Sequence, residues 1–246
     1  VNPGYTFGED EMAVFTQAIQ KLTGGEVVYE GFPELGASDM SNHITSVNDE
    51  QPDVTFTSLW GGDVTTFLRQ ASANDMYDNT TVVGSILYSA AGDVPADALE
   101  GAELYSGSRN FYWDHPQTGN WQPGQDLFDA AQDQDGVSIP NAHYMSGYGA
   151  VTAWATAVEK AIDVLGTYPT QEQIATVLEG HGFFTPAGYH VMAADHQGMS
   201  NAVAGQMVYD DDLGGARLED VNIYSPTETA PPPGTPASDW LESWTG

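Results

Sequence analysis

The chain of 246 residues contains no cysteine and only five lysines and arginines. Without thiols it forms no disulfide, no thiolate metal site and no cysteine nucleophile. The scarcity of cations excludes more. Set against 35 Asp and Glu, it leaves a formal net charge of -30. Phosphate backbones are held by basic surfaces, so nucleic acid is excluded as a partner. Anionic membrane surfaces are disfavoured on the same ground. No apolar run is long enough to cross a bilayer. Residues 1–8, VNPGYTFG, show neither a charged n-region nor an apolar h-region, so no signal peptide is visible. No internal repeat is present.

What the chain has is ample apolar material, 41% of residues, enough to bury a sizeable core in one large domain or two small ones. Its acids are scattered rather than blocked together. That spread argues against one cation site and against an acidic face built for a basic partner. It fits adaptation to high salt, as in halophiles, because molar salt shrinks the Debye length to ~3 Å and screens the self-repulsion.

The stretch 52–71, PDVTFTSLWGGDVTTFLRQA, organises the rest. Val54, Thr55, Phe56 and Thr57 are β-branched or aromatic and predict a buried strand. Gly61 and Gly62 break it, and Asp63 is a candidate cap. Val64, Phe67, Leu68 and Ala71 then recur at helical spacing. In open α/β sheets, ligands sit beyond the carboxyl ends of strands. Here that turn carries Trp60, which either contacts a small ligand or covers the sheet end.

Around this unit the pattern predicts a helix over 9–22 with a stripe of Met12, Phe15, Ile19 and Leu22, and a strand at Val27, Val28 and Tyr29. Ser38 is expected to cap a helix through Met40, Ile44 and Val47. Strands follow at 81–87 and 102–105. The alternation implies a mostly parallel sheet with helices on both faces. The first helix has no strand to feed it, although parallel strands are joined through crossovers. A missing first strand is therefore expected. Residues 106–125 read as a crossover whose Phe111, Tyr112, Trp113 and Trp121 want burial. Helices are expected at 126–131, at 146–165 with Ser146 as cap and Trp154 in the core, and after a Thr170 cap. Strands are expected at 185–192, 202–209 and 222–224. The Pro- and Thr-rich residues 227–246 predict a disordered proline run, with Trp240 and Trp244 docking back.

Catalytic and metal patterns are weak. His190, Asp195 and His196 have no third ligand in sight, and a solvated turn is the expected reading. Asp210, Asp211 and Asp212 lack the glycine and closing Glu of an EF-hand. Residues 145–149, MSGYG, are no nucleophile elbow, since Tyr144 stands where glycine is required. Gly61 and Gly62 are no dinucleotide fingerprint. No nucleophile, base and orienter set emerges, so an enzyme is disfavoured. No cofactor and no metal are expected.

Five segments, GYTFGED at 4–10, PDVTFTSLWGGD at 52–63, LEGAELYS at 99–106, GYGAVTAWATAVEKA at 147–161 and FTPAGYHVMAADHQ at 184–197, stand in an order that resembles the type 1 periplasmic binding proteins of ABC transporters. The branched-chain amino acid group is the branch it resembles, in a haloarchaeal-type, N-terminally shortened form. The resemblance implies an α/β fold of two Rossmann-like lobes joined by a hinge, the first lobe incomplete. Residues 1–112 would form the second lobe without its first strand. Residues 113–184 would supply the crossover and the helical part of the first lobe, 185–226 the hinge return and closing strands, and 227–246 a Pro-rich tail.

It further implies a non-catalytic, monomeric solute receptor, outside the cell and surface-anchored, that delivers a small solute to an ABC permease. The rival on the same fold is a ligand-sensing domain. By resemblance Phe7, Trp60, Ser85, His143 and Tyr144 are the ligand-binding candidates. The family's amino acid binders place a carboxylate after the strand that here reads 81–84. This chain has Ser85 and Ile86 instead, with Asp93 as an open substitute. An amide or urea-like solute is thereby favoured over an amino acid.

The charge yields a first prediction. Thermal unfolding should shift to markedly higher temperature between low and molar KCl, because screening removes self-repulsion. An unchanged midpoint would remove the high-salt reading.

Overall fold

The computed structural model describes residues 1–108 and 122–244. Phe111, Tyr112, Trp113, Trp121 and the boundary expected at 112/113 lie outside the described residues.

Helix α1 (Thr6–Thr23) opens at Tyr5, earlier than the apolar stripe suggests, and closes on Gly24 in the left-handed region at φ 71. Met12 is buried and Phe15 stacks on Phe56 with ring centroids 4.1 Å apart, while Leu22 of the expected stripe is exposed. Helix α2 (Ser41–Glu50) buries Ile44 and Val47. Ser38 does not cap it. The Asp39 carboxylate accepts the Ser41 N–H at 2.9 Å instead.

Strands β1 (Val54–Thr57), β2 (Thr81–Gly84) and β3 (Leu104–Gly107) pair in parallel. Helix α3 (Gly62–Ala73) connects the first two and buries Val64, Phe67, Leu68 and Ala71. Strand β2 stops at Gly84 rather than running to Leu87. The Leu87 side chain folds back onto Gly84, where a Cβ would lie 2.3 Å from Leu87 Cγ, and residues Leu87–Ala90 coil into a 3-10 turn. No strand forms at residues 26–32. The segment is extended, but it has no adjacent strand to complete a ladder, and Val28 remains exposed.

The sheet is completed from far along the chain. Strand β7 (Ala202–Asp210) runs antiparallel to β3, and β8 (Gly215–Tyr224) runs antiparallel to β7, giving the order β1-β2-β3-β7-β8. The last strand is thus longer than the expected 222–224. Asp210, Asp211 and Asp212 sit in the hairpin turn. The Asp210 carboxylate accepts the Asp212 and Leu213 amides at 3.0 Å each, which closes that turn locally. Leu59, Phe67, Leu68, Leu104, Met207 and Leu218 belong to one buried cluster that joins α3 to both ends of this sheet. Each such side chain contributes roughly 1.5–3 kcal/mol by burial.

Between β3 and β7 come helices α4 (Gln122–Asp135), α5 (Ala142–Leu165) and α6 (Gln171–Leu178). Helix α5 begins at Asn141, whose side chain accepts the His143 N–H, so Ser146 is helix interior and not the cap. Thr170 caps α6 in a reciprocal box with Gln173, as its sequence suggests. Trp154 and Val151 are about half to two-thirds exposed on α5, not core. The period places them on one face, but no described element packs there. Residues 185–192 are not one strand: β4 (Gly182–Thr185) and β5 (Gly188–Met192) form a hairpin, with β6 (Gly198–Met199) alongside. The proline run is held rather than loose, with the Gly234 N–H donating to Asp195 at 2.7 Å. Beyond α7 (Pro226–Thr229), α8 (Ala237–Ser243) docks on α1. Lys21 donates to the Leu241 and Glu242 carbonyls at 2.7 and 2.5 Å, a cation at a helix C-terminus.

Under α5, two histidines are buried rather than solvated. His181 and His190 stack on either side of Phe183, with centroids 6.0 and 5.5 Å away. His181 Nε2 pairs with Thr156 Oγ1 of α5 at 2.9 Å, and His190 Nε2 with Thr185 Oγ1 at 2.8 Å. Burial lowers both basicities, and nearby Lys160 lowers that of His181 further. In the unfolded chain each takes up its proton near pH 6.5. The folded state binds fewer protons just below that pH, so stability is full above it and falls as pH drops toward the folded values. At constant molar salt, the native protein should therefore lose more thermal stability between pH 7.5 and 5 than a His181→Gln/His190→Gln variant. Equal losses would show that the pair does not carry the acid sensitivity.

Candidate functional site

The parallel register brings three carboxyl ends to one edge: residues 58–61 after β1, 85–86 after β2, and Gly107 at the end of β3 with Ser108 after it. This is the edge on which open α/β sheets build ligand sites.

Asn2 anchors the first turn. Its side-chain oxygen accepts the Ser58 N–H and the Ser58 hydroxyl, both at 2.8 Å, and Asn2 itself is 1% exposed. The turn then lifts Trp60 outward. Gly61, at φ 55 and ψ -133, takes a backbone conformation that a side chain would strain. It is also the N-cap of α3, so the expected Asp63 cap is a correction: Asp63 lies inside the first turn, and its carboxylate accepts the Gly36 N–H at 3.1 Å.

Trp60 is 37% exposed, and its indole N–H donates to the Tyr5 hydroxyl at 2.9 Å. Tyr5 in turn stacks with Phe7, centroids 6.0 Å apart. The half-buried Phe7 thus supports the ring that holds Trp60. Tyr5 is the residue that sequence reading passes over. Its role runs through a hydroxyl reaching across 55 positions, and the only local signal is its place two residues before Phe7.

A second chain of bonds reaches α5. The Gly61 N–H donates to the Ser89 hydroxyl at 3.0 Å, and the Ser89 carbonyl accepts Asn141 Nδ2 at 2.7 Å. Asn141 Oδ1 accepts the His143 N–H at 3.0 Å. The structure therefore links the Trp60 turn to the first turn of α5, which carries His143 and Tyr144. His143 is exposed and Tyr144 half-buried.

Ser85 is placed differently from expectation. It follows β2 directly, with its N–H on the Thr57 carbonyl at 3.2 Å. Its hydroxyl is covered and has no hydrogen-bond partner among the described residues. Gly107 closes over it: a Cβ there would lie 2.4 Å from the Ser85 carbonyl oxygen. Asp93 is exposed on the turn after residues Leu87–Ala90.

The edge segments 58–62, 85–86 and 107–108 contain no charged side chain. Among the described residues, no group of three or more His, Asp or Glu is placed to hold a metal ion. The arrangement offers ring area, hydroxyls and backbone amides, which can position a small solute but supply no acid, base or nucleophile at a reacting atom. Two concave spaces lie elsewhere, a groove of 420 Å³ beside β1 and a cavity of 290 Å³ between β6 and the proline run. The strand-end edge is an open surface, the form of one wall of a cleft.

The sequence profile of the periplasmic binding protein family matches residues 1–212. No curated protein sequence matches the chain. Among solved structures, a solute-binding protein of an ABC transporter from Rhodopseudomonas palustris BisB5, in complex with 3,4-dihydroxybenzoic acid, is similar with a TM-score of 0.74 and 17% identity, over 90% of this chain and 58% of that one. A leucine-, isoleucine-, valine-, threonine- and alanine-binding protein from Brucella ovis has a TM-score of 0.70 and 20% identity, over 94% and 58%. A branched-chain amino acid transporter protein from Rhodopseudomonas palustris CGA009 has a TM-score of 0.65 and 21% identity, over 92% and 59%. The chain spans a little under three-fifths of the length of these structures. Its α/β fold is that of the type 1 periplasmic binding proteins, and the chain belongs to the periplasmic binding protein family.

Proposed function

We propose that this chain is part of the solute-binding component of an ABC importer, acting outside the cytoplasmic membrane, anchored at the cell surface and delivering its solute to a permease. It works as a monomer and performs no chemistry on the solute. The strand-end edge forms one wall of the site, with the first turn of α5, bearing His143 and Tyr144, beside it. The solute is small and polar, of the amide, urea-like or amino acid kind.

One observation carries this reading: an exposed tryptophan at the carboxyl end of a parallel strand, held in place by Tyr5 and followed by a glycine at positive φ. Rings that must bury a ligand and release it lose little conformational entropy, which suits such a site. The absence of a carboxylate at Ser85 and Ile86 disfavours a primary ammonium, since a buried ammonium needs a paired charge. Two lobes closing about a hinge would complete the enclosure.

The test is calorimetric titration of the full-length protein against amino acids, amides, urea-like solutes and benzoates. Trp60→Ala should weaken binding by about 2–4 kcal/mol, as for a buried aromatic hot spot, with little change in the unfolding midpoint. Tyr5→Phe should weaken binding less, because it frees the indole without removing it. Normal binding by a readily unfolding Trp60→Ala protein would make Trp60 a core residue and end the assignment.

A further inference from the structure

The connection from α3 to β2 carries a pattern that the solute site does not use. Residues 79–81 read Asn79, Thr80, Thr81, and Asn79 is the one asparagine of the chain with Ser or Thr two places on. With a residue other than proline between, that spacing is the acceptor signal for an N-linked sugar: an amide that takes the sugar and a hydroxyl two places on. Such a triplet arises often by chance. What singles this one out is how the fold presents it.

The single turn Met76–Asp78 ends at Asn79, whose backbone N–H donates to the Met76 carbonyl at 3.2 Å. The Asn79 side chain is exposed. Its oxygen accepts Gln51 Nε2 at 3.5 Å, the outer limit of a hydrogen bond, and its Nδ2 donates to no group among the described residues. Thr80 turns the other way. It is 6% exposed, and its hydroxyl pairs with that of Thr55 at 3.0 Å. Thr81 is half-buried, and its hydroxyl donates at the surface to the Glu103 carboxylate at 3.3 Å, a second long bond. Burial therefore alternates along the triplet, as side chains do at the start of a strand. The middle residue is anchored in the sheet, while the amide and the hydroxyl that the signal requires keep only weak partners.

The position also suits a bulky group. Asn79 precedes β2 and so stands at the amino edge of the parallel strands. The four residues of β2 span roughly 13 Å and separate it from Ser85 and the Trp60 edge. A sugar on Asn79 projects into solvent without covering the solute site.

We propose that Asn79 is a site of N-linked glycosylation. The inference rests on the location outside the cytoplasmic membrane given above, and not on the identity of the solute. Asn79 Nδ2 forms a bond to C1 of a sugar carried on a lipid phosphate or pyrophosphate. The C1–O bond to that phosphate breaks, its electron pair leaves with the phosphate, and Nδ2 gives up one proton. The co-reactant is a lipid-linked saccharide, and no oxidant or reductant is consumed.

The test isolates the full-length protein from the surface of the cells that make it and reads the peptide around Asn79 by mass spectrometry. The wild type should carry saccharide on Asn79. Asn79→Gln and Thr81→Val should carry none, and Thr81→Ser, which keeps a hydroxyl, should carry it still. Bare Asn79 in protein recovered from the surface would overturn the proposal and leave the location intact. Saccharide that persists in Asn79→Gln or in Thr81→Val would overturn it as well, by placing the sugar on another residue or freeing it from the signal. Protein found only inside the cell, with Asn79 bare, would overturn the location and the proposal together.

Discussion

The parallel register of β1, β2 and β3 is the constraint on which the rest depends. Val54 opposite Thr81 and Val82 opposite Leu104 bring three strands to their ends together. One residue of slip would turn Thr55 and Thr57, both buried, and Val82 and Leu104 out of the core. The register is held by packing of Leu59, Phe67, Leu68 and Leu104 and by a buried pair of hydroxyls, Thr55 with Thr80 at 3.0 Å. Once it is set, Trp60, Ser85 and Gly107 share an edge without any contact between their side chains being required.

What converts that edge into a site is a small set of polar clamps that draw on distant sequence. Asn2 holds the end of β1, Ser89 holds Gly61, and Asn141 holds Ser89 while capping α5. Each clamp satisfies a backbone group that a strand end or helix start would otherwise leave open. The positive φ of Gly61 falls inside this network, at a turn where glycine meets no side-chain clash.

The alternation of elements was legible because it rests on periodicity. The β1 and α3 residues and the Thr170 cap follow from local pattern. Other features depend on partners that local sequence does not name. Val27 to Tyr29 have strand character, but a ladder needs a neighbouring strand, and none of the described strands pairs with them. Trp154 recurs at core spacing on α5, yet burial is a property of what packs against that face. The start of α5 was hidden because Gly147 and Gly149 weaken the helical pattern, and Asn141 rather than Ser146 proved to be the cap. Pro186 and Gly188 disguised a hairpin as one strand. Of the candidate site, the exposed position of Trp60 on the turn after β1 follows from the strand–turn–helix pattern. Tyr5, Ser89 and Asn2 were not legible, because their roles are hydrogen bonds between segments far apart in the chain.

Charge and site stand in a relation that the composition alone does not suggest. A chain of net charge -30 has kept its strand-end edge free of charged side chains. In molar salt, attraction between charges is confined to ~3 Å by screening, so steering a solute by long-range field has little value there. Burial against aromatic rings does not fade in the same way, and salts excluded from protein surfaces strengthen it. A wall made of Trp60, Tyr5 and Phe7 over backbone amides is therefore suited to capture in concentrated salt. Two of the five cations serve structure. Lys21 closes α8, and Arg217 pairs with Asp210 and Glu219 beside the β7–β8 turn. On the proposed reading, any charge that a solute brings to this wall would be met from the facing side of the cleft, which would then discriminate charged from neutral solutes while this side discriminates by shape.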